Sequence, residues 1–245
     1  MWPRKSLGSA AGAHASAVCA NAVPFAQCPA KTWLTPQGAT LPGRSVPEHC
    51  HIVGAVAQRL IALYPPALQS ALFPPDAAFA AACHDLGKVS PSFVEKLRRH
   101  CSSGMEHIPK QAVSPELEKC WGGHAGVSLA AAKALGAPAW IPDILGQHHG
   151  FSPQLGGKQA DAEVFGGSAW QAQRAALVQE LQQRLGMKWP HMASAAQARL
   201  VAGLTSVADW IGSGRHFEDP TQPWQDLIDT ALREAQEEVG LDRAF

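Results

Sequence analysis

The sequence predicts an all-α fold, with an irregular lead-in before the first helix. Three observations carry that prediction. After about residue 44, apolar residues recur at helical steps of three and four. Start and stop signals built from Ser, Pro and Gly bracket those stretches. No stretch shows convincing strand alternation, and there is neither an internal repeat nor a heptad pattern long enough for a coiled coil.

Residues 1 to about 44 lack strong periodicity and hold several Pro and Gly, with 1–29 read as an irregular N-terminal extension. The first helix, about 46–63, lies in "SVPEHCHIVGAVAQRLIAL". It opens on Ser45-x-x-Glu48, a capping-box pattern with Pro47 in the first turn, and carries Val53, Val56, Leu60 and Leu63 at helical spacing. A second helix, about 76–86, is expected to stop at Gly87. Ser90-Pro91 restarts a short helix over about 91–99. Helices follow at about 123–135 and 138–149, the latter stopping at Gly150. "GFSPQLGGKQADAEVFGGS" reads as a loop, and the last helices span about 168–185, 193–212 and 224–239.

A chain of 245 residues suits one large domain or one domain with extensions, and 46% hydrophobic residues are ample for a core. The formal net charge is +0, from 20 basic and 20 acidic residues. Strong nonspecific binding to nucleic acid needs a basic excess. If nucleic acid is the substrate, another component holds the strand or only a local groove is basic. The cysteines (Cys19, Cys28, Cys50, Cys83, Cys101, Cys120) form no CxxC pair, so a structural zinc site is not expected. Cys50 and Cys83 are read as buried free thiols, which points to a reducing cytoplasm. "MWPRKSLGSAAGAHASAVCANA" has a basic start but no apolar h-region, so no signal peptide is expected, and no run is long enough to span a membrane.

Eleven histidines raise the question of which point inward. His49 shares the stripe of Val53, Val56 and Leu60, whereas His51 groups with Ala55 and Gln58 and is expected to face out. His84 follows Phe79, Ala80 and Cys83 into the core, with Asp85 beside it. His124 begins a helix whose inward stripe is Val127, Ala131 and Leu135. His148 follows Ile144 and Leu145 inward, and His149 extends that helix end. A single buried histidine is more often a core residue with one hydrogen bond. Five of them with an adjacent aspartate need pairing or a metal, because an apolar interior does not tolerate unpartnered polar groups. A carboxylate from the C-terminal half should complete the set, and Asp209 in "SVADWIGS" is the best candidate. Its helical phase is off the apolar stripe of Leu200, Leu204, Val207, Ala208 and Ile211, so periodicity alone makes it exposed. Its own face of Ala198, Ala202 and Thr205 is nevertheless small enough for close packing. His14, His51, His100, His107, His191 and His216 receive no role. Trp140 and Trp210 lie on helical stripes and are read as core rather than as base-stacking platforms.

In this order, His49…His84-Asp85…Asp209 resembles the H…HD…D motif of the HD phosphohydrolase superfamily. His124 and the pair His148-His149 narrow the resemblance to the HD nuclease domain of the type I CRISPR interference nuclease–helicase. Local matches are Ala30-Lys31, "HCHIVGAVA", "HDLGK…F", "GGHAGVSLAA", "ILGQHHG" and "ADWIGS", covering about 30–215. The resemblance implies an HD-domain helical bundle over 30–245. It implies one metal on His49, His84, Asp85 and Asp209, and a second on Asp85, His124, His148 and His149, with Asp85 as the bridge. His84, Asp85 and Lys88 are its catalytic candidates, Lys88 as a phosphate contact or else a solvated turn lysine. Two-metal phosphodiester hydrolysis wants the ions roughly 3.5–4 Å apart. Imidazole-rich sites favour Mn, Fe, Ni or Co, with Mg also admitted. Ser206 and Ser213 flank Asp209, but helical serines usually bond back to their own backbone.

The implied activity is metal-dependent cleavage of single-stranded DNA in CRISPR interference, an antiviral defence. The implied partners are a superfamily-2 helicase domain or subunit and a CRISPR RNA-guided surveillance complex. No GxxxxGK[ST] occurs, so the chain is expected to be a separate nuclease subunit or the N-terminal domain of a nuclease–helicase. The alternative is an HD-type nucleotide or cyclic-dinucleotide phosphohydrolase. The latter carries a Gly–Tyr–Pro signature after the histidine pair, where this chain reads "HHGFSPQL". A degenerate HD domain that only binds partners is disfavoured by the intact ligand positions.

Overall fold

The computed structural model describes residues 22–151 and 162–238. A short antiparallel hairpin, β1 (Thr32–Leu34) and β2 (Thr40–Pro42), precedes the helices. Then come α1 (Val46–Ala62), α2 (Pro66–Leu72), α3 (Ala77–Ala82), α4 (Pro91–His100), α5 (Gly123–Ala134) and α6 (Ile141–Gly146). The chain continues through α7 (Ala162–Phe165), α8 (Gly167–Leu185), α9 (Ala195–Gly212) and α10 (Ile228–Glu238). Short 3-10 turns sit at Leu86–Lys88 and Pro115–Trp121 among others. The all-α class holds, because the two strands are too short to show the alternation by which strands are recognised.

The centre is α3, whose AAFAAA sequence is buried along its whole length. Small side chains let it lie between α1 and α9, and both pack on it. The 3-10 turn Leu86–Lys88 then docks on α5, which pairs with α6. α1 presents His49, Val53 and Val56 inward, as its stripe indicates, and Cys50 and Cys83 are buried free thiols. Val23 and Cys28, ahead of the hairpin, also join the main core.

Several boundaries differ from expectation, each for a local reason. The helix expected over 76–86 ends at Ala82, and Gly87 does not stop it. Gly87 lies in the following turn, where a Cβ would come 2.0 Å from the His124 carbonyl oxygen and 2.6 Å from the Ser128 nitrogen. This glycine permits close approach of two backbones. The helix expected over 138–149 is only Ile141–Gly146, because Trp140 takes a left-handed conformation (φ 74°) and the chain leaves the helix at Gln147. Pro66–Leu72 is a helix too short to show a periodic stripe. Part of the expected loop before 168 is helical at Ala162–Phe165, while 152–161 lie outside the described residues. Ser45 is the N-cap residue of α1, yet its hydroxyl makes no cap bond, and Glu48 pairs with Arg44 instead of closing a capping box.

α9 turns a face inward that is shifted from the expected stripe: Leu204, Ala208 and Ile211 are buried as expected, together with Ala198, Val201, Ala202 and Thr205, while Leu200 and Val207 are exposed. Trp140 and Trp210, read as core, are 43% and 51% exposed. Small residues win the packed face because α9 lies close against α1 and α3, where a wide side chain does not fit. Among the described residues, no helix is long and apolar enough to cross a membrane.

Candidate metal centre

Five elements deliver eight residues, the seven expected ligands and Lys88, to one place: α1 brings His49, the turn after α3 brings His84, Asp85 and Lys88, and the first turn of α5 brings His124. The turn after α6 brings His148 and His149, and the last turn of α9 brings Asp209. In a regular helix, consecutive side chains point about 100° apart, which would separate His84 from Asp85. Here the helix has already opened. Cys83 (φ −96°, ψ 4°) and Asp85 (φ −101°, ψ 22°) adopt the sparsely populated region between helix and strand. Both side chains thereby reach the same centre.

The two oxygens of Asp85 face different partners. Oδ2 lies 3.2 Å from His49 Nε2, 3.1 Å from His84 Nε2 and 2.6 Å from Lys88 Nζ. Oδ1 lies 3.3 Å from His124 Nε2 and 3.7 Å from His148 Nε2. Asp209 Oδ1 closes the first group at 3.5 Å from His49 and 3.2 Å from His84. His149 Nε2 closes the second at 3.0 Å from His124 Nε2. The donor atoms fall into two clusters of convergent ligands, His49–His84–Asp85–Asp209 and His124–His148–His149, with Asp85 between them.

Burial makes these contacts costly without a further partner. Asp85 and His84 are fully buried, and His49 and His148 nearly so. Both Asp85 oxygens and the Nε2 atoms of His49, His84 and His148 have no aligned hydrogen-bond partner among the described residues. Buried polar groups are otherwise almost always satisfied. The opposite ring nitrogens are fixed: Nδ1 faces the Ala81 carbonyl at 2.8 Å in His84 and the Leu145 carbonyl at 2.6 Å in His148. A carbonyl only accepts, so Nδ1 carries a proton and Nε2 is the ring nitrogen aimed into the cluster, as metal-binding histidines are oriented. The donor set therefore fits divalent-metal binding.

The electrostatics separate the two sides. Burial opposes charge on His84, but Asp85 and Asp209 outweigh it and raise the imidazole to about 10. Burial alone would raise Asp85, yet His84, Lys88 and His49 hold it well below the carboxylate range. Asp209 is likewise held down, against its burial, by His84 and His49. On the other side, burial pushes His124 well below the usual imidazole value and His148 down to about 4, so both are neutral at pH 7.

All seven expected residues thus meet, with two departures in exposure. His149 is exposed rather than inward, although its ring still reaches His124. Asp209 is mostly buried despite its phase, because the Ala198–Ala202–Thr205 face is the packed one. His51 lies away from the cluster, half-buried with its ring 4.9 Å from that of Trp224. Ser206 bonds back to Ala202, whereas Ser213 donates to Asp209 Oδ1 at 3.0 Å. Glu118 was not singled out. It is 2% exposed, its Oε1 has no hydrogen-bond partner among the described residues, and burial raises its carboxyl to about 7. A glutamate in a short 3-10 turn carries no periodicity that could have revealed it.

A family model described as "Cas3, HD domain" matches residues 30–218. The crystal structure of T. fusca Cas3-ADP shares the fold, with 23% identity and a TM-score of 0.56 over 84% of this chain and 26% of that one. So does one described as "CRISPR-associated protein", with 22% identity and a TM-score of 0.55 over 91% and 27%. The chain thus spans about a quarter of the length of these two. The Thermus thermophilus cas3 HD domain in the presence of Ni2+ is 26% identical, with a TM-score of 0.45 over 80% and 85%. No curated protein matches. With 30–218 matched to the family model, the chain belongs to the Cas3 HD domain family.

Proposed function

We propose that this chain is a metal-dependent hydrolase that cuts the phosphodiester bonds of single-stranded DNA in CRISPR interference. The observation that carries the reading is the division of Asp85, one oxygen toward His49 and His84 and the other toward His124 and His148. His49, His84, Asp85 and Asp209 would hold one cation. Asp85, His124, His148 and His149 would hold the other. When bound, such a pair supplies Lewis acidity toward a phosphodiester and lowers the pKa of water.

The rest of the chemistry belongs to the side chains. His84 and His148 turn Nε2 toward the cluster by anchoring Nδ1 on backbone carbonyls. Asp85 and Asp209 stay ionised and offset the positive charge gathered there. Lys88 holds Asp85 from the solvent side and is 12% exposed, so its ammonium can meet a phosphate oxygen at the rim. The nitrogen-rich donor set favours Mn, Fe, Ni or Co over Mg.

The net charge of +0 gives the isolated domain little grip on DNA, which supports delivery of the strand by others. The substrate would arrive unwound by a superfamily-2 helicase domain or subunit recruited to an RNA-guided surveillance complex in the cytoplasm. Residues 30–245 would form the nuclease domain and 1–29 an extension. The test is a nuclease assay on circular single-stranded and duplex DNA with Mn2+ or Ni2+. Chelator-sensitive loss of the single-stranded circle is expected, and its linearisation would mark endonuclease action. Hydrolysis confined to free nucleotides would overturn the DNA reading in favour of a nucleotide phosphohydrolase.

A further inference from the structure

The N-terminal hairpin grips the segment after α9 at two points. Arg44, 2% exposed, donates from Nε to the Phe217 carbonyl at 2.8 Å, and from Nη2 to those of Asp219 and Gln222 at 2.6 and 2.8 Å. Lys31, at the foot of β1, donates from Nζ to the Ser213 carbonyl at 3.1 Å. Its own backbone is pinned, since its carbonyl accepts from Gly43 N at 2.8 Å and the neighbouring Ala30 N donates to the Arg44 carbonyl at 2.8 Å.

Ser213 carries the connection into the site. It caps α9, its N–H donating to the Asp209 carbonyl at 2.8 Å and its hydroxyl to Asp209 Oδ1 at 3.0 Å. That same Oδ1 faces His49 and His84. An unbroken chain of bonds therefore runs from the hairpin backbone through Lys31 and Ser213 to the carboxylate. Asp209 lies in the last turn of its helix, where orphan carbonyls are common and ends fray. A lysine bonded to the capping residue fixes that end, and its charge suits the negative pole of α9.

We infer that Lys31 is a positioning residue for Asp209, acting through Ser213, and that it sets cation affinity in the His49–His84–Asp85–Asp209 group but not in the His124 group. The inference rests on the metal-binding reading of both groups. Lys31 contacts no reacting atom. It fixes where a ligand sits, and losing such an outer partner costs about 10–100-fold in metal affinity.

The test is calorimetric titration of the whole metal-free chain with Mn2+, alongside elemental analysis. Lys31→Met keeps the aliphatic stem and removes the donor, and Lys31→Arg keeps a donor. In a His124→Ala background, which isolates the first group, Lys31→Met should weaken binding about 10–100-fold and Lys31→Arg should restore most of it. In an Asp209→Ala background Lys31→Met should add nothing, which a purely structural lysine would not reproduce. Ser213→Ala, which leaves the hairpin bonds in place, should weaken the same site. Unchanged affinity in Lys31→Met or Ser213→Ala would overturn the inference, as would an equal loss from Lys31→Met in the Asp209→Ala background. A wild-type chain that binds no Mn2+ would remove the metal reading and this inference with it. Binding without DNA cleavage would remove only the substrate assignment.

Discussion

Gly87→Ala is a small change with a large expected effect. An added Cβ would lie 2.0 Å from the His124 carbonyl oxygen, 2.6 Å from the Ser128 nitrogen and 2.9 Å from Ser128 Oγ. Two of these are backbone atoms of α5, so no side chain can swing away. The Gly87 N–H also donates to Ser128 Oγ at 2.8 Å, a buried bond that separation would break. Forcing a methyl into a packed interior costs about 1–3 kcal/mol, and leaving a buried donor unsatisfied costs about 1–3 kcal/mol more. The expected loss is about 2–6 kcal/mol, a large part of a typical domain's stability and equivalent to roughly 5–20 °C in Tm. Gly203→Ala is the control, because nothing lies within 4 Å of its Cβ position in the helix and alanine should stabilise by about 0.5–1 kcal/mol. Urea and thermal unfolding of both variants measure the difference. The same displacement would pull the turn carrying Asp85 away from His124, so metal uptake by the second group should fall as well. A Gly87→Ala protein within 1 kcal/mol of wild type would refute the claim that this glycine is required for the approach of the turn to α5.

Two further outcomes follow from the electrostatics. In the metal-free site Asp85 and Asp209 raise His84 to about 10 against its burial and its Nδ1 faces the Ala81 carbonyl, so at neutral pH Nε2 also holds a proton that a cation must displace. Metal uptake should release protons, and affinity should rise about tenfold per pH unit from 6 to 8 if one proton is lost; titrations in buffers of different ionisation enthalpy measure this, and pH-independent affinity would contradict it. Lys88→Met should leave both groups able to take up metal while lowering kcat/KM on DNA about 100-fold, the scale of removing one preorganised charge donor. Unaltered kinetics would return Lys88 to the role of a turn lysine.

The first helix and the turn after α3 were legible because their chemistry coincides with their periodicity. His49 lies on the apolar stripe of α1, and His84 follows a run of alanines that can only be interior. Asp209 was harder to read. Hydrophobicity gave α9 a stripe of Leu200, Leu204, Val207, Ala208 and Ile211, of which Leu200 and Val207 are exposed; the packed face is rotated to take in the small residues Ala198, Ala202 and Thr205. The exposure of Trp210 follows from the same preference for small residues at close helix contacts, whereas Trp140 stands outside the helix altogether, in a left-handed conformation before α6. Gly87 resembled a helix stop because sequence cannot distinguish a glycine needed for its torsions from one needed for its missing Cβ. The link from Lys31 to Ser213 was invisible, since it joins residues 182 apart through a carbonyl that any residue would supply.

The central claim is that one aspartate serves two cations, and metal stoichiometry tests it most directly. Elemental analysis after loading with Mn2+ and dialysis should find two ions per wild-type chain, about one for His124→Ala and close to none for Asp85→Ala, with each variant shown to be folded by circular dichroism. A folded Asp85→Ala chain that retains the wild-type metal content would contradict the bridging role.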